Sequence, residues 1–184
     1  MFKSEGQVFF IGDFDDSMES ELLIPLTVQI QKQRMLRYGR IDLYINSFGG
    51  GVYLAQHLIE LVELAKREHI TVRTIVPSAA YSAGSILAIT GTPGERYIAK
   101  DAEHMIHYGM NGSLNTTPMQ VERQTEYNNR MFKWNINHYK KYANVPDLDD
   151  KMSDDHFFVT ARNCIKWGLS DKYMDKLDIG DFSE

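Results

Sequence analysis

An α/β domain with a largely parallel central sheet is predicted by three features of the chain. Apolar, β-branched runs recur at 7–11, 41–46, 71–76 and 95–99; helix-patterned segments fall between them; and glycine-bearing turns follow the strands. At 184 residues one domain spanning 1–184 is expected, large enough to bury a sizeable core. The formal charge of −5, with no stripe of lysine or arginine, argues against a nucleic-acid surface. A lone cysteine, Cys164, excludes an internal disulfide and a cysteine-based zinc site, and it fits a reducing cytosol. No apolar run has the length of a membrane span and the first residues do not lead into a secretory signal, so a cytoplasmic protein is expected.

Taken in order, Gln7–Ile11 is a first strand, ended by Gly12-Asp13. Ser17 can cap a helix running to about Arg37, and Pro25 places the helix proper, or a kink, near that residue. A second strand at 41–46 runs straight into Ser47-Phe48-Gly49-Gly50-Gly51. Leu54, Leu58, Leu61, Val62 and Ala65 then form one stripe at helical spacing. The run 71–76 is apolar enough for a buried strand, and 85–90 turns into a small-residue helix packed on it. After a turn at 91–94 come a strand at 95–99 and a short apolar run around His107. Thr117 with Gln120 and Pro118 opens a helix that lasts to about Ala143. Its apolar stripe is sparse, so it is either a solvated surface helix or one that projects and packs on something else. The acidic stretch 146–155 reads as loop, 156–160 is apolar, 161–167 is a short helix closed by Gly168, and the acidic tail from Asp175 adds little.

Two segments carry chemistry. In Ala80-Tyr81-Ser82-Ala83-Gly84 a serine among small residues sits at a strand-to-helix junction, the geometry that pushes a hydroxyl outward. The N–H that follows it can serve an oxyanion. Taken alone, a small-residue helix start explains the same pattern. Gly49-Gly50-Gly51 directly after a strand is either a tight turn or a backbone that brings N–H groups against a carbonyl oxygen. Neither a dinucleotide fingerprint nor a lysine-bearing phosphate loop is present, and the six histidines lack metallopeptidase spacing. His104 and His107, three apart, are a weak metal pair with no carboxylate motif beside them. No cofactor is implied.

Four ordered segments, Ile45-Asn46-Ser47-Phe48-Gly49-Gly50, Ala80-Tyr81-Ser82-Ala83-Gly84, Met105-Ile106-His107 and Thr160-Ala161 through Trp167-Gly168-Leu169-Ser170-Asp171, resemble the signature of the ClpP family, the proteolytic subunits of the Clp protease. The resemblance covers nearly the whole chain from Gln7 to Asp171. It implies the ClpP/crotonase-like fold of repeated β-β-α units, with the helix from Pro118 as a projecting handle (about 109–145). It also implies a serine endopeptidase: Ser82 as nucleophile, His107 as base, and the N–H groups of Gly50 and Ala83 as oxyanion hole. Gly51, Val52, Gly109 and Asn111 would border the peptide and pair with it as a strand. Implied partners are peptides or unfolded proteins, further copies in a ring (a heptamer or double heptamer) and an ATPase unfoldase.

Several positions depart from the family pattern. Phe48 replaces a proline, and Tyr81 replaces a small residue and is expected to reshape the pocket. Counting back from Thr160-Ala161 puts the family's aspartate on His156; Asp155, one residue earlier, is taken as the acid, with Asp154 the alternative. Phe157 replaces an arginine that helps join rings, which makes a single ring the firmer expectation. About six residues precede the first strand, fewer than in the family's axial-loop segment. Two other functions share these features: a non-catalytic ring subunit, suggested by His156, and a crotonase-type enzyme acting on an acyl thioester.

Overall fold

The computed structural model describes residues 7–36, 39–109, 117–153 and 156–177. Five strands, β1 (Gln7–Ile11), β2 (Gly39–Ile45), β3 (Ile70–Val76), β5 (Arg96–Ile98) and β8 (Lys172–Tyr173), form a sheet in the order β1-β2-β3-β5-β8. Every pairing in it is parallel, with Leu43 opposite both Phe9 and Thr74. Side chains of β3 are almost all buried, as suits a central strand covered on both faces, whereas edge strand β1 leaves Phe10 79% exposed.

A second, three-stranded sheet carries the site. It joins β4 (Ala79–Tyr81), β6 (Glu103–Ile106) and β7 (Phe157–Thr160) in the order β4-β6-β7, parallel then antiparallel. The sequence reading had no strand at 79–81 and no second sheet; strands of three or four residues carry too little alternation to be read.

Helix α1 (Ile24–Leu36) follows a π-type turn at Glu19–Leu23, so the helix proper does begin at Pro25's doorstep. Ser17 departs from its expected role: its hydroxyl turns back to Asp15 Oδ1 at 2.7 Å and does not cap the helix. Helix α2 (Val52–Arg67) buries Leu58, Leu61, Val62 and Ala65 of the expected stripe against β3 and α1, with Ala55 and Ile59 beside them, whereas Leu54 is only half-buried. Helix α3 (Ala83–Ile89) is buried on all sides, and its small residues permit this: a Cβ on Gly84 would stand 3.0 Å from the Ser47 Cβ. Helix α4 (Pro118–Tyr142) starts with the capping box of Thr117 and Gln120. Its buried residues, Asn135, Ile136, His138 and Tyr139, all lie in the second half; none of 118–130 is buried.

The acidic stretch read as loop contains a helix, α5 (Leu148–Ser153). Leu148 and Met152, four apart, are buried beneath it, and Asp149 and Asp150 lie in the first turn, where carboxylates favour the helix dipole. Helix α6 (Ala161–Trp167) ends on Gly168 in the left-handed conformation, φ 76°. The segment after it is tied down through Asp171, whose carboxylate takes the N–H groups of Gly94 and Arg96 and pairs with the Arg96 guanidinium. Arg96 in turn donates to the carbonyls of Ile89 and Tyr142, so one buried cation fastens the ends of α3 and α4.

Candidate active site

Strand register decides which side chains meet. Ala79, Ala80 and Tyr81 run abreast of Glu103, His104 and Met105, and the ladder continues with Ser82 N–H donating to the Met105 carbonyl at 2.9 Å. The residue just past β4 is thereby set beside the residue just past β6. Ser82 Oγ lies 2.7 Å from His107 Nε2. Ser82 has φ 51° and ψ −119°, a backbone that L residues rarely hold, and it is the residue at which the chain turns into α3. Through that hydrogen bond a neutral imidazole can take the hydroxyl proton as the oxygen attacks.

The glycine turn forms the opposite bank. Gly49 (φ 107°) and Gly50 (φ 131°) occupy the conformation that glycine permits. Both need it for space as well: a Cβ on Gly49 would fall 2.8 Å from the Ser82 Cβ, and one on Gly50 2.5 Å from the Phe14 carbonyl oxygen. Phe14 N–H donates to the Gly49 carbonyl and its own carbonyl accepts from Gly51, both at 2.8 Å, and this pair of bonds skips the Gly50 amide. Across the gap Ala83 supplies the first N–H of α3, which has no acceptor within the helix. Asp13 fixes the turn from behind: its carboxylate accepts the Phe48 N–H at 2.6 Å and the Ser47 hydroxyl, and Ser47 Oγ accepts the Gly49 N–H. Between these banks lies a cleft of about 380 Å³. It is bordered by Gly50, Gly51, Val52, Ser82, Ala83, His107 and Gly109 and floored by α4 residues including Met131 and Asn135.

A sequence profile of the family described as Clp protease matches residues 1–176. The chain belongs to the Clp protease family. It is similar to the protein named ATP-dependent Clp protease proteolytic subunit from Deinococcus radiodurans, 26% identical over 173 residues, 92% of this chain and 81% of that one. Proteins of the same name from Streptococcus suis and Streptococcus mutans are 27% and 26% identical, each covering 94% of this chain and 86% of their own. The mixed α/β architecture with its parallel sheet is that of the Clp protease family, and membership supports a peptidase role. Among the described residues no helix is long and apolar enough to cross a membrane.

Within this Clp-family fold the predicted residues fall as follows. Ser82, His107, Gly50 and Ala83 converge on the cleft, and Gly109, with φ 98°, borders it. Asp155, Asp154 and Asn111 lie outside the described residues. Gly51 and Val52 line the cleft, but the expected strand pairing with a peptide does not suit Gly51. Its N–H is spent on Phe14 and its carbonyl accepts Ala55 N–H, because α2 begins at Val52. His156 stacks on His107, centroids 5.4 Å apart and rings 20° from parallel. Tyr81 does not shape the cleft as expected. It packs edge-on against Phe48 and Phe158, and its hydroxyl donates to the Glu103 carboxylate, which pushes the phenol up to about 12. His104 does not join His107: it is wholly buried, with Nδ1 2.9 Å from Ser85 Oγ, and desolvation drives it down to about 3. Tyr139 OH donates to that same Ser85 oxygen at 2.8 Å, a buried chain linking α4, α3 and β6.

Sequence reading missed Asp13 and Asn135. Asp13 passes for a strand-ending turn residue, and its contacts lie 34 and 35 residues away, so no local pattern reports it. Asn135 is hidden in a polar helix whose burial is confined to its second half.

Proposed function

We propose that this chain is a serine endopeptidase that hydrolyses peptide bonds in peptides or unfolded proteins. The observation that carries the reading is the 2.7 Å hydrogen bond between Ser82 Oγ and His107 Nε2 at the mouth of the cleft. In this reading Ser82 attacks the scissile carbonyl while His107 takes its proton. The developing oxyanion is met by the N–H groups of Gly50 and Ala83, donors held in place before the reaction begins. His107 then hands the proton to the leaving amine, and a water activated by the same imidazole releases the acyl group. Asp155 is the residue assigned to orient His107. The chain works in the cytoplasm as a subunit of a ring, a heptamer or a pair of them, fed by an ATPase unfoldase.

A fluorophosphonate probe tests this. Labelling of the native protein, abolished in Ser82→Ala, is expected; a folded wild-type protein that takes no label would overturn it. Turnover that survives Ser82→Ala would indicate acyl-thioester chemistry, which needs no serine nucleophile.

His156, seated against His107 at the position counted for the acid, favours a second reading: a silent ring subunit. That subunit would cleave no peptide ester alone, yet would alter the activity of a competent subunit mixed with it.

A further inference from the structure

Side chains two residues apart on a strand share a face, so Met105 points the same way as His107 just past β6, and Phe158 the same way as His156 just before β7. Register sets Tyr81, Met105 and Phe158 abreast across the three strands of the small sheet. Ring contacts follow from that placement. His156 stacks on His107, Phe158 lies 6.4 Å from His156, and Tyr81 stands edge-on to Phe158 at 5.6 Å and to Phe48 at 5.4 Å. The Tyr81 hydroxyl is tied to the Glu103 carboxylate, which holds the central ring in place. Its two flanking rings are in the open, Phe48 68% and Phe158 51% exposed. Phe48 and His156 also line the cleft, so the row is continuous with it, and no ring of α4 takes part. Aromatic rings left in water beside a reactive pair form an apolar surface that calls for an occupant.

We propose that this row is a subsite for the leaving half of the substrate, with Phe48 and Phe158 selecting an aromatic side chain within the first two residues beyond the scissile bond and Tyr81 bracing them. The proposal rests on the serine-peptidase reading above. In that chemistry the departing amine receives its proton from His107, so the chain beyond the bond leaves the reacting centre on the imidazole's side. The row lies on that side, offset from His107 by the step to Met105, roughly 7 Å along the strand. An extended peptide covers about the same span in two residues. Edge-to-face packing, which Tyr81 already makes with both neighbours, can take a further ring on either exposed phenylalanine. A leucine gains contact area without that ring geometry, and a glycine gains neither. An aspartate would bring a second carboxylate toward Glu103.

The test is a series of internally quenched peptides with Leu fixed before the scissile bond and Phe, Tyr, Leu, Gly, Asp or Arg placed in turn at each of the two positions after it, with products identified by mass. Wild-type kcat/KM is expected to be roughly tenfold or more higher for Phe or Tyr than for Gly at one of those positions, the selectivity an apolar site supplies, with Leu between them. Phe48→Ala combined with Phe158→Ser is expected to narrow the Phe-to-Gly ratio to roughly twofold, whereas Phe158→Tyr keeps it. Wild type ranking Leu, Gly, Asp or Arg level with or above Phe at both positions overturns the proposal, and this holds even if a variant fails to fold. So does a Phe158→Ser protein that changes oligomeric state in analytical ultracentrifugation with the ratio intact, which would make the row a contact between copies of the chain. Ser82 labelling in the same preparations separates the two levels. Label without an aromatic preference removes the subsite and leaves the peptidase standing; no label and no cleavage across the series removes both.

Discussion

In Gly50→Ala the new methyl would lie 2.5 Å from the Phe14 carbonyl oxygen, 2.9 Å from its nitrogen and 3.0 Å from its carbonyl carbon. All three are backbone atoms of one residue, so no side chain can swing aside. To reach ordinary contact at 3.4 Å the turn and the Phe14 segment must part by about 0.9 Å. The φ of 131° adds roughly 1–3 kcal/mol of strain for any residue with a Cβ. Displacement on that scale at a reacting centre costs on the order of a hundredfold, and loss of one oxyanion donor costs on the order of a hundred- to a thousandfold. Turnover of a short peptide ester is therefore expected to fall by roughly those two to three orders of magnitude. The melting temperature should drop by roughly 5 °C, given about 2–4 °C per kcal/mol in a chain this size. Gly51→Ala is the control: its φ is −58° and its nearest contacts would be a flexible Leu54 methyl and the Phe14 oxygen, both at 3.3 Å. It should stay within about threefold of wild type, since it removes no oxyanion donor. Equal rates for the two variants, measured by ester turnover with folding checked by circular dichroism, would refute the role given to the Gly50 amide.

Three further outcomes are expected. Asp13→Ala, by freeing the Phe48 and Ser47 contacts that hold the glycine turn, should slow ester turnover roughly tenfold. Asp13→Asn, which keeps one acceptor, should recover most of it, and equal defects in the two would argue against positioning by that oxygen. Asp171→Asn should cost roughly 3 kcal/mol in denaturant unfolding, because it leaves the buried Arg96 without its anion. Hydrogen bonds and the Arg96 charge hold the Asp171 carboxyl below its usual range against the opposing effect of burial, so this contribution is present above the ordinary carboxylate pKa. It is lost as pH falls through the lowered one; a loss under about 1 kcal/mol would refute the reading. His104 and His138 are held neutral by burial, at about 3 and about 4 against an ordinary 6.5. The unfolded chain therefore gains protons first on acidification. Their share of stability is intact above pH 6.5 and declines below it, by about 2 kcal/mol for each at pH 5. Urea midpoints at pH 7 and pH 5 check this, with His138→Gln expected to flatten the difference and parallel curves refuting it.

Four of the five strands of the large sheet were legible, the central one because burial on both faces leaves a continuous β-branched run at Ile70–Val76; β8, two residues long, was not. The turn at Ser82 was legible too, from Ala80, Ala83 and Gly84 around a serine at a strand-to-helix junction, although Tyr81 directly precedes it. The second sheet was not, because β4 and β6 are three and four residues long and owe their existence to pairing partners distant in sequence. Helix α5 was masked by its charges, with Leu148 and Met152 its only buried side chains. Asp13 matters through contacts made in three dimensions, and the residue type alone does not announce it.

The distances along the chain between the parts of the cleft have a consequence for synthesis. The glycine turn, Ser82, His107 and the α4 floor are successive in sequence, and the Ser85–His104–Tyr139 chain that spaces them closes only when residue 139 has arrived. A chain emerging from the ribosome thus exposes Ser82 before His107 and the α4 side of the cleft have arrived beside it. Under the serine-peptidase reading, Ser82 can do no chemistry until His107 and the α4 floor have joined it.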